Sequence, residues 1–135
     1  MLQQHYNFQE VIKNLVAGSA IDLNFDCSNI QARFVEDASK LSLTTSVYVG
    51  SNYIPSGVRT SLSHKFSFSH PVIKTFLTIN EQEFKIQLNY LGDAEDLNHS
   101  EFNEIVEEFG DIAENWRIFL DEKDRNDLVY VKARR

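Results

Sequence analysis

The chain is predicted to fold as an α+β domain, a twisted antiparallel sheet with a short N-terminal helix and a long C-terminal amphipathic helix packed on it. Three patterns predict this. Between Asn98 and Glu122, the residues Phe102, Val106, Phe109, Ala113, Trp116 and Leu120 recur at alternating steps of four and three, which places them on one helical face. Between Ile30 and Val49, and again between Val72 and Tyr90, apolar and polar residues alternate with the period of a half-buried strand. A long amphipathic helix must lie on something apolar, and the strand segments supply that surface.

The elements follow in order. Phe8, Val11, Ile12, Leu15 and Val16 have helical spacing and Gly18 stands where such a helix stops, so helix one is predicted at about 7 to 17. Asp22 to Asp26 reads as turn-rich. Ile30, Ala32 and Phe34 then alternate up to a break at Glu36 to Ser39, and Leu41, Leu43, Thr45, Val47 and Val49 form the clearest strand, paired with the first as a hairpin. Residues 50 to 57 form a loop around Gly50, Pro55 and Gly57. Alternation returns from Leu62 to His70, predicting a strand with Phe66 and Phe68 on its aromatic face. After Pro71, strands at Val72 to Ile79 and Phe84 to Tyr90 enclose the turn Asn80 to Glu83. Asn98, with Glu101 three residues on, has the capping arrangement that opens the long helix. On that helix Trp116 is expected to be buried against the sheet. Leu128 to Val131 reads as a short edge strand.

One domain of 135 residues is long enough to bury a core without metals or disulfides. Ten Phe and five Tyr argue against disorder, and one cysteine, Cys27, excludes an internal disulfide and fits a reducing, cytoplasmic address. The first residues lack the form of a cleaved signal, and no stretch approaches the roughly 18 apolar residues of a membrane span. The net charge of −7 is unevenly spread: residues 93 to 127 hold thirteen acids and three bases. Such an acidic segment repels phosphate backbones, so nucleic acid is not expected as a partner, and without an apolar span neither is a membrane.

No residue set yields a catalytic chemistry. His64 and His70 on one unbroken strand would stand about 20 Å apart at roughly 3.3 Å per residue, too far to share a metal. His5 and His99 stand in no motif. Helix carboxylates such as Glu104 and Glu108 face outward at a spacing of four, as a solvated acidic side would, and Cys27 has no companion. The scattered glycines form no phosphate loop, and Asp96-Leu97-Asn98 lacks the remainder of a calcium loop. No catalytic residue, metal site or cofactor is therefore predicted. What remains is an excess of apolar side chains: Tyr48, Tyr53, Ile54, Phe66 and Phe68 either fill the core or stand beyond the cover of two helices, and aromatics exposed in the second way mark binding sites for protein chains.

The hairpin residues Phe76 to Leu88 (Phe76-Leu77-Thr78-Ile79-Asn80-Glu81-Gln82-Glu83-Phe84-Lys85-Ile86-Gln87-Leu88), the helix stripe Phe102 to Leu120 and the opening helix at 7 to 17 together resemble the small acidic chaperones of bacterial type III secretion, the Tir-chaperone or CesT-like family. The YbjN-like regulators are similar in fold. That family carries a middle helix that forms its homodimer, whereas residues 50 to 71 here read as turns and strand; a homodimer, where one forms, is expected through residues 58 to 70. The resemblance implies a non-enzymatic cytoplasmic chaperone that keeps a segment of a secreted effector extended, with Tyr48, Tyr53, Phe66 and Phe68 as partner-binding residues. Two other readings stay open: a small regulatory or ligand-binding domain whose aromatics line a pocket, and an acidic inhibitor of a basic protein.

Overall fold

A computed structural model describes residues 8–25, 28–36, 39–66, 73–95 and 97–133, with residues 8, 24, 25, 28 and 126–133 described by their backbone alone. The order is α1 (Phe8–Val16), β1 (Ile21–Phe25), β2 (Ser28–Val35), β3 (Lys40–Val49), α2 (Ser56–Thr60), β4 (Thr75–Asn80), β5 (Lys85–Asp93) and α3 (His99–Ala133). The five strands form one antiparallel sheet in the order β1-β2-β3-β5-β4, so β1 and β4 are its edges. This is the α+β architecture predicted, with the short and the long helix on one face of the sheet.

Alternation decides which face is covered. Ile30 and Ala32 of β2, Leu41 and Leu43 of β3, and Ile86 and Leu88 of β5 are fully buried and form one cluster with Val11 and Leu15 of α1 and the α3 stripe. Phe102, Val106, Phe109, Ala113 and Leu120 are fully buried as well, and Trp116 is only 7% exposed. The opposite face carries Gln31, Ser42, Thr44, Gln87 and Asn89. Thr44 donates to Asn89 Oδ1 at 3.1 Å and Asn89 Nδ2 donates to Thr78 Oγ1 at 2.9 Å, a polar row running across three strands. One dry and one wet face is the common condition of an antiparallel sheet.

Local chemistry fixes the element ends. Gly18 takes φ +92 and its N–H reaches the Leu15 carbonyl at 3.0 Å, closing α1 in the left-handed form that glycine adopts without strain. In the β4–β5 turn, Asn80 Oδ1 accepts the N–H groups of Gln82 and Glu83, both at 3.0 Å. Asn98 Oδ1 accepts the Glu101 N–H at 2.8 Å, and Asn98 Nδ2 donates to the Glu101 carboxylate at 2.7 Å, so the predicted cap opens α3.

Three expectations are corrected. Residues 22 to 26 are not a turn: Ile21–Phe25 is edge strand β1, in which Leu23 is buried while Asp22, opposite Gln31, points to water. A polar residue at every second position is admissible on such an edge. Residues 58 to 63 are not strand but helix, the end of α2 followed by a 3₁₀ turn at Ser61–Ser63, so a short helical segment stands where turns and strand were expected. Pro55 opens α2, its carbonyl accepting the N–H groups of Val58 and Arg59 at 3.1 and 3.0 Å. Ser61 folds its hydroxyl back on the Gly57 carbonyl at 2.7 Å, a local bond that serine makes readily in helical turns. His64 to Phe66 are neither helix nor strand, and the rest of the strand predicted there, including Phe68 and His70, lies outside the described residues. Finally, residues 128 to 131 continue α3. No Gly or Pro interrupts Arg125-Asn126-Asp127, and extending an existing helix costs far less than starting a strand; the β-preference of Val129 and Val131 is the weaker term.

Candidate functional site

The structure divides the predicted partner-binding residues between two places. Val47 has no opposite number in the β3–β5 pairing, where Ser46 faces Gln87 and Tyr48 faces Ile86. This bulge advances the alternation by one, so that Tyr48 turns toward α3 and its hydroxyl donates to Asp124 Oδ1 at 3.1 Å. Tyr53 lies in the following loop with 57% of its surface exposed. A β-carbon at Gly50 would collide with the Tyr53 carbonyl oxygen and touch the Tyr48 ring, so the two tyrosines share one corner of the molecule and glycine allows their close approach.

Phe66 belongs elsewhere. Its ring meets Trp116 edge-on at 4.9 Å and Phe119 at 5.4 Å, and His64 stacks on Phe119 at 4.3 Å, while Lys123 Nζ lies 5.2 Å from the Phe119 centroid. It is a half-buried plug of the helix layer. Phe68 lies outside the described residues.

Around the tyrosine corner, the end of β3 and the facing part of α3 border an open cleft of about 470 Å³. Val49 and Ile118 flank it with 62% and 58% of their surface exposed. Arg117 crosses between the layers: its Nε donates to the Ser46 carbonyl at 3.1 Å and its Nη2 to Thr45 Oγ1 at 2.8 Å, while Thr45 donates to the Asn29 carbonyl at 2.9 Å. These bonds satisfy Thr45, a buried polar side chain of the core. Sequence reasoning missed Val49 and Ile118 as surface residues. Ile118 carried a signal, an apolar residue off the helix stripe; Val49 carried none, because a bulge does not show in an alternating pattern.

A second groove, of about 540 Å³, runs between the 3₁₀ turn and edge strand β4, lined by Leu62, His64, Lys65, Leu77, Ile79 and Trp116 among others. Strand β4 reads Thr-Phe-Leu-Thr-Ile-Asn, with no charge and no bulge to guard its edge, and leaves Phe76 and Ile79 exposed. Arg59 of α2 clasps the neighbouring hairpin turn through two bonds to the Glu81 carboxylate, at 3.0 and 2.7 Å. That hydrogen bond holds Glu81 below the usual carboxylate range and raises Arg59.

The acidic side of α3 faces water at Glu101, Glu104 and Asp111, while Glu108 accepts the Ile73 N–H at 3.0 Å. Among the described residues no three His, Cys, Asp or Glu side chains gather as a metal site, and no helix is long and apolar enough to cross a membrane. Burial, with Asp93 and Glu108 nearby, pushes the Tyr90 hydroxyl up.

No protein-family model and no curated protein matches the chain. Its fold does have a solved counterpart: a chain in the crystal structure of the ExsC–ExsE complex superposes with a TM-score of 0.60, over 83% of this chain and 94% of that one, at 19% sequence identity. At that identity the likeness is one of fold, and function has to be argued from the surface.

Proposed function

We propose that this protein is a non-enzymatic, chaperone-like binding protein of the bacterial cytoplasm that holds an extended segment of a secreted effector, in the manner of type III secretion chaperones. The observation that carries the reading is the superposition, over most of both chains, on a protein crystallised in a protein–protein complex. The surface supports it. Tyr48, Val49 and Ile118 line an open cleft, with exposed Tyr53 in the loop that follows β3, and an extended segment can lay side chains into apolar clefts of this kind while its backbone pairs with a sheet edge. The strong acidity of residues 93 to 127 keeps such a surface soluble.

The chaperone works as a homodimer in this reading. The uncharged edge of β4, with Phe76 and Ile79 exposed beside α2 and the 3₁₀ turn, is the surface we assign to the second copy. The assignment keeps the described part of the predicted region, residues 58 to 66, and adds β4 to it. An enclosed small-molecule site is less favoured, because both clefts open onto the surface. Capture from native cytosol followed by mass spectrometry tests the function. Recovery of one exported protein bound through a short segment is expected; a folded cationic nuclease or toxin would replace this reading with the acidic inhibitor, and a small molecule in native mass spectrometry with the ligand-binding domain.

A further inference from the structure

We infer that the cleft between the end of β3 and α3 receives a basic side chain of the partner, an arginine or lysine carried between aliphatic residues; this rests on the partner-binding reading above and names the chemistry of its ligand. The walls and the rim ask for different things. Val49 and Ile118, both largely exposed, offer apolar walls that would lie along the methylene stem of a long side chain. Asp121 and Asp124 line the same cleft and offer carboxylates to a cationic head.

The cation already lining the cleft does not meet that demand. Arg117 directs its guanidinium into the sheet, toward the Ser46 carbonyl and the Thr45 hydroxyl, with its remaining nitrogen 3.6 Å from Glu114. It ties the layers together. Asp121 is bridged by Arg125 at 3.1 Å, but both side chains are well over half exposed, and a pair of that kind yields to a better partner at little cost. Asp124 receives the neutral Tyr48 hydroxyl, which the β3 bulge delivers and which holds one carboxylate oxygen in place. A wholly apolar ligand would strip water from these carboxylates without replacing it, and an acidic one would be repelled.

The test uses the whole protein and three capped pentapeptides: Leu-Val-Arg-Val-Leu, the same sequence with citrulline for arginine, which keeps the shape and removes the charge, and the same with glutamate. Methyl and amide shifts are followed by NMR titration. The arginine peptide is expected to move the Val49 and Ile118 methyl signals and to bind about tenfold more tightly than the citrulline peptide. The Asp121→Asn, Asp124→Asn double variant should erase that preference while leaving the methyl dispersion of the folded protein unchanged, since asparagine at 124 can still accept the Tyr48 bond. Equal binding of the arginine and citrulline peptides in the cleft would overturn the inference and leave the partner-binding reading standing. Shifts confined to residues 101 to 111, or none at the cleft, would also overturn it, and the captured partner would then decide the parent reading separately.

Discussion

Phe66 stands edge-on to Trp116, ring centroids 4.9 Å apart and planes at 87°, and so fastens the segment after α2 to the middle of the long helix. The contact joins a half-buried ring to a buried one. It makes Phe66 a structural anchor as well as a candidate surface residue.

Trp116→Ala should therefore cost about 3 to 5 kcal/mol, the range for a buried large aromatic. In a double-mutant cycle with Phe66→Leu, urea unfolding should give a coupling of about 0.5 to 1.5 kcal/mol. Additive effects would place Phe66 away from the tryptophan in solution.

Tyr90 lies over Gly92, its hydroxyl and ring occupying the space a β-carbon there would need. Gly92→Ala should destabilise the domain by about 1 to 3 kcal/mol through overpacking. Removing the obstacle with Tyr90→Leu should make the alanine nearly neutral. A Gly92→Ala penalty that is the same in both backgrounds would refute this account of the glycine.

The clasp between Arg59 and Glu81 depends on pH in a defined direction. Glu81 is held below its ordinary value of 4.5 by the Arg59 hydrogen bond, so its contribution is complete above the unfolded value and is lost as pH falls through the lower folded value. Wild type and Glu81→Gln should differ in the protection of α2 amides at neutral pH and converge below 4.5. The difference should shrink in high salt, since the pair is exposed. A gap independent of pH would mean that the clasp is not electrostatic.

If β4 carries the second copy, the Phe76→Lys, Ile79→Lys double variant should be monomeric by light scattering while the wild type is dimeric. Both side chains are exposed, so the fold should tolerate the change. A dimer that survives both lysines, or a monomeric wild type, would remove the edge-pairing proposal.

The sheet and the long helix were legible because periodicity reports burial directly: Leu41 to Val49 and Phe102 to Leu120 bury the residues their spacing selects, apart from the bulged strand end. Elements set by local bonds were not. Asp22 and Asn24 look like turn residues, yet both belong to an edge strand in which Asp22 meets water, and the helix at Ser56–Thr60 depends on Pro55 and on hydroxyls folding back to carbonyls, which an alternation of Leu62, His64 and Phe66 conceals. At the candidate site, the exposed tyrosine could be suspected from its glycine- and proline-bracketed loop. The cleft beside it could not, because it arises from the bulge at Val47 and from the arrival of Ile118 and Asp124 from a segment some seventy residues away.

The central claim, an extended partner segment held by apolar anchors, is tested most directly by the affinity of the captured partner at low and high salt for three proteins: wild type, Tyr53→Ser with Ile118→Ser, and Glu104→Gln with Glu108→Gln. The account predicts weak salt dependence, of the size one buried basic contact brings, with a large loss in the Tyr53 and Ile118 variant and little change in the glutamine variant. Steep salt dependence, with affinity lost only when Glu104 and Glu108 are neutralised, would contradict it and favour an acidic inhibitor.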